Sequence, residues 1–300
     1  MKGNILITGG SGFIGSHLVD RFAKIRKSTV VSYDVAAAKD NCIGNVVTLK
    51  GDVFDSDKLV KVMRDREITN VIHLVALVSI PECRRKPDTS FRLNVSSLHS
   101  TLEAMRLSEV ERLVFPSTAV VYSGVTSTKV SELAEPRPTN IYGCHKLAAE
   151  SIICGYAEDY GFKTTILRIF NVYGDLEKEK GVISLFIKRA LAGKPIIVNG
   201  GKQIRDFVHV QDVIEVFLKS LDNSATNHKI INVGSGVGVS VEEIAQMVIQ
   251  SFPGIEVERH PLNEESHSHY ADVSRMKALL SVDPVNPRKG IPAFIKDCMV

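Results

Sequence analysis

The chain has 300 residues, of which 44% are hydrophobic and 24% are charged, and its formal net charge is +3 at pH 7. These values are typical of a globular chain with a full core, and the scattered charges argue against a nucleic-acid partner. Five cysteines without a Cys-x-x-Cys pair argue against a disulfide framework or a metal site, and the longest apolar run, Val71 to Ile80, is too short to span a membrane.

The first predicted element is a buried strand over residues 5–7 that turns sharply into a helix through a glycine-rich segment. An apolar helical pattern begins there at Phe13 and Ile14. Gly9 permits the tight turn, Gly12 lets the backbone approach a pyrophosphate, and Gly15 lets helix and strand pack closely. The helix start offers free N–H groups and the positive end of its dipole to phosphate oxygens. The segment therefore predicts a dinucleotide-binding turn.

The second predicted strand, over residues 29–33, ends in a carboxylate, Asp34, which stands nineteen residues after Gly15. A carboxylate at this distance is placed to accept hydrogen bonds from the adenosine ribose hydroxyls. It would also repel a 2′-phosphate. The spacing therefore predicts NAD, and not NADP, as the cofactor.

Strand and helix patterns then alternate as far as residue 169, which predicts an α/β fold with a doubly wound parallel sheet of the Rossmann type. The predicted strands cover residues 46–50, 70–74, 112–115 and 164–169, and the predicted helices cover 58–66, 88–107 and 140–160, with a loop through Pro81.

Beyond residue 168 the pattern loosens. It indicates helices at 181–191, 210–221 and 241–249 and short strands at 196–198 and 230–233. The prolines of the tail, among them Pro287 and Pro292, predict no long regular element there. We expect an NAD-binding domain at residues 1–167, with residues 203–235 folding back onto it, and a smaller mixed α/β substrate lobe at residues 168–300.

Two side chains of the predicted helix 140–160, Tyr142 and Lys146, lie four residues apart and therefore share one face. A phenol with a pKa of about 10 is a poor base at neutral pH, but a nearby ammonium favours the phenolate. Thr118 follows the predicted strand 112–115, at the carboxyl edge where open parallel sheets bind ligands. Its hydroxyl can bond a substrate oxygen and pass a proton to the phenolate. We therefore predict that Thr118, Tyr142 and Lys146 are catalytic.

The order of motifs along the chain resembles the extended short-chain dehydrogenase/reductase family, in its nucleotide-sugar epimerase/dehydratase branch. The matching segments are Thr8-Gly-Gly-Ser-Gly-Phe-Ile-Gly15, Gly51-Asp52-Val53, His73-Leu74, Asn94-Val95, Ser117-Thr118-Ala119, Tyr142-Gly-Cys-His-Lys146, Leu167-Arg-Ile-Phe-Asn-Val-Tyr-Gly174, Arg205-Asp-Phe-Val-His-Val210 with Asp212, and Asn232-Val-Gly234. The resemblance covers nearly the whole chain and implies a homodimer formed through helices 88–107 and 140–160.

The resemblance also implies which residues bind the cofactor NAD and the substrate. The implied NAD contacts, besides Gly9, Gly12, Gly15 and Asp34, are Phe13 and Ile14 at the pyrophosphate, Asp52 and Val53 at the adenine, Leu74, Val75 and Ala76 at the nicotinamide, Lys146 at its ribose, and Asn94, Tyr142 and Phe170. The implied substrate contacts are Thr118, Tyr142, Asn171, Arg205 and His269. Asn171 and Arg205 would bind the nucleotide diphosphate of the substrate. Arg205 suits this role because a guanidinium fork matches phosphate oxygens. The resemblance also implies that a position near His269 gates bulky N-acetyl sugars in the epimerases of the family.

The two positions after Thr118 narrow the implied reaction. Dehydratases and decarboxylases of the family carry acidic residues there, whereas this chain has Ala119 and Val120. The resemblance then implies NAD-dependent epimerisation of a nucleotide sugar at position 4, with UDP-glucose and UDP-galactose as the expected pair. An NAD-dependent sugar or amino-alcohol dehydrogenase of the same family stays the alternative. A non-catalytic dinucleotide-binding protein is disfavoured, because Tyr142 and Lys146 are both present.

The chain departs from the family pattern at two substrate positions. A lysine common near position 78 is replaced by Val78, and an arginine that commonly contacts the substrate phosphate is replaced by Leu262. Arg259 and Lys202 are the candidates to compensate.

The start of the chain bears on its location. Only three apolar residues stand between Met1-Lys2-Gly3-Asn4 and Thr8, so we expect no secretory signal and a cytoplasmic protein.

Overall fold

The computed structural model describes residues 3–25, 27–37, 40–262 and 268–299. The β-strands are β1 (Asn4–Thr8), β2 (Val30–Asp34), β3 (Asn41–Ile43), β4 (Val46–Lys50), β5 (Ile68–His73), β6 (Arg112–Thr118), β7 (Lys129–Val130), β8 (Lys163–Ile169), β9 (Asn171–Tyr173), β10 (Ile196–Asn199), β11 (Ile204–His209), β12 (Lys229–Val233), β13 (Gly238–Ser240), β14 (Val257–His260) and β15 (Tyr270–Ala271). The α-helices are α1 (Phe13–Ile25), α2 (Ser56–Asp65), α3 (Ile80–Arg85), α4 (Pro87–Phe91), α5 (Ser97–Leu107), α6 (Ile141–Tyr160), α7 (Val182–Leu191), α8 (Val210–Asp222), α9 (Val241–Ser251), α10 (Ser274–Leu280) and α11 (Pro287–Asp297). A π-helical turn joins α4 to α5 (Arg92–Ser96), and 3-10 turns follow β6 (Ala119–Tyr122) and α8 (Ser224–Thr226).

Eight strands form one large sheet in the order β12-β8-β6-β5-β1-β2-β4-β3. Seven of them run parallel, and the edge strand β3 is antiparallel to β4. The parallel set contains every strand predicted up to residue 169, together with the predicted strand 230–233. The predicted doubly wound α/β fold is therefore confirmed.

Both faces of the large sheet are covered by helices, which explains why its strands are almost continuously apolar. On one face α1, α8 and α10 bury side chains such as Phe22 and Phe217 against the strands. On the other face α2, α5 and α6 bury side chains such as Leu59, Leu102 and Ile153. The carboxyl edge of the sheet, where open parallel sheets bind ligands, is thus supported by a core that is packed on both faces.

A smaller lobe begins where the chain leaves the carboxyl end of β8. It contains the three-stranded sheet β13-β11-β9 and the pair β10-β14. Helices α7, α9 and α11 pack around a separate core that includes Phe186, Ile244 and Ile295. From the segment 203–235, α8 and β12 pack with the large sheet, whereas β11 belongs to the small one. The predicted domain boundary at residue 167 stays a prediction.

A fully buried carboxylate in β11 ties the small lobe together. Asp206 accepts hydrogen bonds from the backbone N–H groups of Ser235 (2.7 Å), Gly236 (2.9 Å) and Ala271 (3.0 Å), and from the Ser235 hydroxyl (2.6 Å). Burial raises the pKa of Asp206, and these hydrogen bonds act in the opposite direction. The carboxylate thereby joins β11 to β15 and to the segment after β12.

Proline explains two differences between the predicted and observed elements. The predicted loop through Pro81 contains α3, and the prediction of no long regular element in the tail is wrong, because α11 has 11 residues. Pro81 and Pro287 both occupy the first turn of their helix, where a backbone N–H has no intrahelical partner to lose. Pro292 lies inside α11 and removes one hydrogen bond from it.

No helix in the described ranges is both long enough and apolar enough to cross a membrane.

Candidate active site

The glycine-rich turn lies at the carboxyl end of β1, in the middle of the large sheet. Gly9 has a φ of 75°, and a Cβ there would stand 3.0 Å from the backbone of Leu74 and Val75. A Cβ on Gly15 would stand 2.4 Å from the Gly9 carbonyl oxygen. The start of α1 therefore packs against the turn more closely than a side chain allows, as the sequence predicts for Gly15. The segment after β5 approaches Gly9 equally closely, which the sequence does not predict.

The predicted cofactor carboxylate lies beside this turn. Asp34 ends β2 and is partly exposed, and its Oδ2 accepts a hydrogen bond from the Ser11 N–H (2.9 Å) while Oδ1 accepts one from the Ala36 N–H (2.8 Å). Asp52 and Val53 follow the neighbouring strand β4, with Val53 buried and Asp52 exposed. Asp34, Asp52 and Val53 therefore share one end of the sheet with the glycine turn.

The loop after β5 is held by an amide side chain. Asn94 is buried, and it accepts a hydrogen bond from the Leu77 N–H (3.0 Å) and donates to the Leu77 carbonyl oxygen (3.0 Å) and to the Ser90 hydroxyl (3.2 Å). The π-helical turn that contains Asn94 is a geometry often found at functional sites. The structure thus uses the predicted cofactor residue Asn94 to fix the loop that carries the half-buried Val75 and Ala76.

The three predicted catalytic side chains come together at the carboxyl edge. Thr118 ends β6 and accepts a hydrogen bond from the Val120 N–H (3.2 Å). Tyr142 lies in the first turn of α6, which Asn140 caps by accepting from the Gly143 N–H (3.0 Å). Burial raises the pKa of Tyr142 to about 12, and a hydrogen bond with the Thr118 side chain acts in the opposite direction.

Lys146 is almost fully buried one turn further along α6. Its ammonium lies 3.9 Å from the centroid of the Phe115 ring. Burial lowers the pKa of Lys146 to about 7, and the Glu150 carboxylate acts in the opposite direction. The sequence predicts that the charge of Lys146 favours the Tyr142 phenolate. In the structure, however, burial has the largest effect on the pKa of both side chains.

A buried histidine lies below the glycine turn; it belongs to the matching segment His73-Leu74, but the sequence gives it no role. The His73 ring lies within hydrogen-bond distance of the hydroxyls of Thr8 (2.9 Å), Thr101 (3.1 Å) and Ser97 (3.1 Å). Burial lowers the pKa of His73 to about 3, and the charge of Lys146 lowers it further. His73 is therefore neutral and joins the ends of β1 and β5 to α5. A polar residue at the end of an apolar strand was the available signal.

The predicted substrate residues lie mainly on the small lobe. Asn171, in β9, donates from its amide to the Asp206 carbonyl oxygen (2.8 Å). Arg205 and His269 face each other across a parallel β-bridge, and the His269 Nδ1 lies 2.9 Å from the Ser127 carbonyl oxygen. The structure thus brings Arg205 and His269 together.

Phe170, predicted as a cofactor contact, is buried in a small apolar cluster with Tyr122. At the positions that depart from the family pattern, Val78 is 65% exposed and Leu262 is 42% exposed. Arg259, a candidate to compensate for Leu262, donates to the Glu242 carboxylate (2.7 Å) and is thereby engaged elsewhere.

A metal centre receives no support from the part of the chain that the structure describes. There, no three His, Cys, Asp or Glu side chains are grouped so that they could hold a metal ion.

Comparisons with known proteins identify relatives that are NAD-dependent enzymes acting on nucleotide sugars. The model of the NAD dependent epimerase/dehydratase family matches residues 5–234. A putative UDP-glucose 4-epimerase of Methanocaldococcus jannaschii is 31% identical over 299 residues, 97% of each chain. A UDP-glucose 4-epimerase of Streptomyces lividans is 31% identical over 88% of this chain and 84% of its own. A UDP-N-acetyl-alpha-D-glucosaminuronate decarboxylase of Bacillus cytotoxicus is 30% identical over 99% and 98%.

Solved structures agree with these relatives. A UDP-glucose 4-epimerase of Thermotoga maritima with UDP-glucose superposes with a TM-score of 0.90 at 27% identity, over 99% of this chain and 98% of that one. A UDP-glucose 4-epimerase of Thermus thermophilus complexed with NAD gives a TM-score of 0.86 at 29% identity, over 98% of each chain.

Proposed function

The chain belongs to the NAD-dependent epimerase/dehydratase family, and within this family we propose that it is a 4-epimerase that interconverts UDP-glucose and UDP-galactose. The observation that carries the proposal is the group of Thr118, Tyr142 and the buried Lys146 at the carboxyl edge of the sheet. The two residues after Thr118 are Ala119 and Val120, which add no acid or base. These groups suffice for oxidation and re-reduction at one carbon.

The glycine turn fits NAD, the cofactor of the family. A Cβ on Gly12 would meet only the Gly9 oxygen, at 3.3 Å, so the outer side of the turn is open to a phosphate. The first N–H groups of α1, at Phe13 and Ile14, have no intrahelical partner and would hold the pyrophosphate. The Asp34 carboxylate would hold the adenosine ribose. Bound NAD supplies a reversible hydride acceptor and a positive charge that favours the Tyr142 phenolate.

In the proposed reaction the Tyr142 oxygen takes the proton of the sugar hydroxyl at position 4 while the hydride on that carbon would pass to NAD. After the keto sugar turns over, the hydride would return to its other face, and Tyr142 gives the proton back to the sugar oxygen. The Thr118 hydroxyl orients that sugar oxygen and relays the proton. Because burial raises the pKa of Tyr142 to about 12, the phenolate requires positive charge close by. The Lys146 ammonium provides such a charge from the same helix face.

Dehydration and decarboxylation are disfavoured by the residues after Thr118. Relatives of the chain include a dTDP-D-glucose 4,6-dehydratase and a decarboxylase, so the family alone does not select the reaction. Removing water from a keto sugar needs an additional acid and base near the sugar. The side chains of Ala119 and Val120, in the 3-10 turn after β6, supply neither.

Proton NMR of the purified protein with UDP-glucose and no added NAD tests the proposal. We expect a growing UDP-galactose anomeric signal, because an epimerase regenerates and retains its NAD. A parallel sample with added NAD separates the alternative, since a dehydrogenase would accumulate NADH and an oxidised sugar. NADH formation without UDP-galactose would refute the epimerase proposal.

Arg205 and Asn171 are proposed to bind the substrate diphosphate. Burial lowers the pKa of the Arg205 guanidinium, but a guanidinium remains charged at neutral pH. With Leu262 in place of an arginine and Arg259 bonded to Glu242, Arg205 is the proposed main phosphate ligand. The variant R205M should raise KM for UDP-glucose far more than it lowers kcat, and an unchanged KM would contradict this role.

We also propose that the protein is a homodimer formed through α5 and α6. The described part of these helices exposes Leu107 (43%) and Tyr160 (51%). Light scattering after gel filtration measures the mass directly, and a mass of about one chain at micromolar concentration would exclude a stable dimer.

A further inference from the structure

A buried ion pair lies one helical turn beyond Lys146. Glu150 and Arg168 are each 3% exposed. Arg168 donates from Nη2 to Glu150 Oε2 (2.6 Å) and from Nε to Oε1 (3.1 Å) and Oε2 (3.2 Å). The Ser117 hydroxyl donates to the same carboxylate. These bonds fix the Glu150 carboxylate in one orientation.

The cation of the pair is held from its other side. Arg168 donates from Nη1 to the Tyr122 hydroxyl (2.8 Å), which donates in turn to Asn232 Oδ1 (2.9 Å). Burial alone would lower the pKa of the Arg168 guanidinium, but its bonds and charge attraction to Glu150 raise it. The pair is therefore anchored on β8, β12 and the 3-10 turn after β6.

Glu150 lies on the same face of α6 as Tyr142 and Lys146. Tyr142, Lys146 and Glu150 are spaced four residues apart, so they follow one another along one face with a rise of about 6 Å between them. Burial disfavours the positive charge of Lys146 and lowers its pKa to about 7. The negative charge of Glu150 favours that charge and raises the pKa.

Among the described residues, the other groups that the structure places next to Lys146 carry no negative charge at neutral pH. From β5, His73 is neutral with a pKa of about 3, and from β6 the Phe115 ring faces the ammonium. On α6 itself, Tyr142 is protonated with a pKa of about 12. Glu150 is therefore the carboxylate whose charge acts on Lys146, and Arg168 and Ser117 are its direct partners.

We infer that Glu150, held by Arg168 and Ser117, is a positioning residue that raises the charged fraction of the Lys146 side chain at neutral pH. The inference rests on the proposed role of Lys146, because the Lys146 side chain favours the Tyr142 phenolate only when it is charged. Without the carboxylate, Lys146 would release its proton at lower pH. Epimerisation would then fail at a pH where the native protein is active.

The experiment follows the titration of Lys146 directly. Protein carrying lysine labelled with ¹³C at Cε is titrated by NMR, and the variant K146M identifies the Lys146 signal. We expect the midpoint in E150Q to fall by about one to two pH units, because the buried carboxylate one helical turn from Lys146 is removed. E150D, which keeps the charge, should stay nearer to the native midpoint. E158Q removes an exposed carboxylate from the same helix and should leave it unchanged.

A second variant covers the case in which E150Q does not fold. The double variant E150Q/R168M removes both charges and leaves no buried ion unpaired, so it should fold and lower the midpoint in the same direction. A midpoint that is unchanged or raised in the folded variants would overturn the inference.

The pH profile of kcat gives an independent readout. Its alkaline limb should move to lower pH in E150Q, whereas mere structural damage would lower kcat equally at all pH values. The NMR titration needs no substrate. If the native protein fails to epimerise UDP-glucose, the proposed function fails and the inference about Glu150 is still tested.

Discussion

The buried carboxyl of Glu179, in the loop between β9 and α7, should make the stability of the protein depend on pH. Glu179 is 5% exposed and its Oε2 accepts a hydrogen bond from the Ser184 hydroxyl (2.5 Å). Burial raises the pKa of Glu179 from 4.5 to about 6, and the hydrogen bonds from Ser184, Gly174 and Gly181 act in the opposite direction.

The sign of the effect follows from linkage. A carboxyl with a raised pKa in the folded state binds its proton more tightly there than in the unfolded chain. Its contribution to stability is therefore present below pH 4.5 and is lost as the pH rises through about 6. A difference of roughly 1.5 units corresponds to about 2 kcal/mol.

The variant E179Q isolates this contribution, because glutamine does not titrate. The free energy of unfolding of the native protein, relative to E179Q, should fall by about 2 kcal/mol between pH 4 and pH 8. Urea unfolding followed by circular dichroism measures it, since the chain has no tryptophan to report by fluorescence. E177Q, an exposed neighbour, should show no such trend. A difference between native and E179Q that is constant with pH would refute the reasoning.

Four further predictions concern the proposed site. Y142F should lower kcat by about 10²-fold to 10⁴-fold with an unchanged circular dichroism spectrum, and an active variant would remove Tyr142 from the role of base. T118V should cost less, about 10-fold to 100-fold, because it removes a relay and keeps the base; a loss as deep as that of Y142F would contradict the order. D34A should weaken NAD binding and relax discrimination against NADP in calorimetric titrations, and unchanged selectivity would exclude the ribose contact. G15A should lower the melting temperature and NAD affinity together, because its Cβ would meet the Gly9 oxygen at 2.4 Å; a variant with native values would show that the turn can yield.

The large sheet could be predicted from sequence because its parallel strands are buried on both faces and read as short apolar runs. The edge strand β3 is exposed along its whole length and has no such pattern, so it was missed. Helix α11 was missed because a proline in the first turn of a helix is indistinguishable in sequence from a proline that ends one. The π-helical turn has no sequence signature of its own, since it differs from α-helix by one residue of hydrogen-bond spacing.

The candidate site could be predicted where the spacing of residues along the chain sets their positions. It could not be predicted where a residue depends on a partner that is distant in sequence. Tyr142 and Lys146 share a helix face, and Thr118 follows a strand, so their meeting at one edge could be expected. Glu150 is also on that face, but its partner Arg168 comes from β8, and nothing in the sequence shows that the two are buried together. The effect of burial on the pKa of Tyr142 and of Lys146 likewise depends on how the core is assembled.

The position of β12 has a consequence for how the chain is made. β12 pairs along the whole of its length with β8, although 59 residues separate them, Phe170 to His228. During synthesis β8 therefore emerges with an open edge and an uncovered apolar face, until α8 and β12 have followed. A nascent chain stalled between residues 170 and 228, or a fragment cut at residue 167, should expose that edge and self-associate. Ribosome pausing in this stretch would then affect the yield of the protein without changing a single contact of its native state.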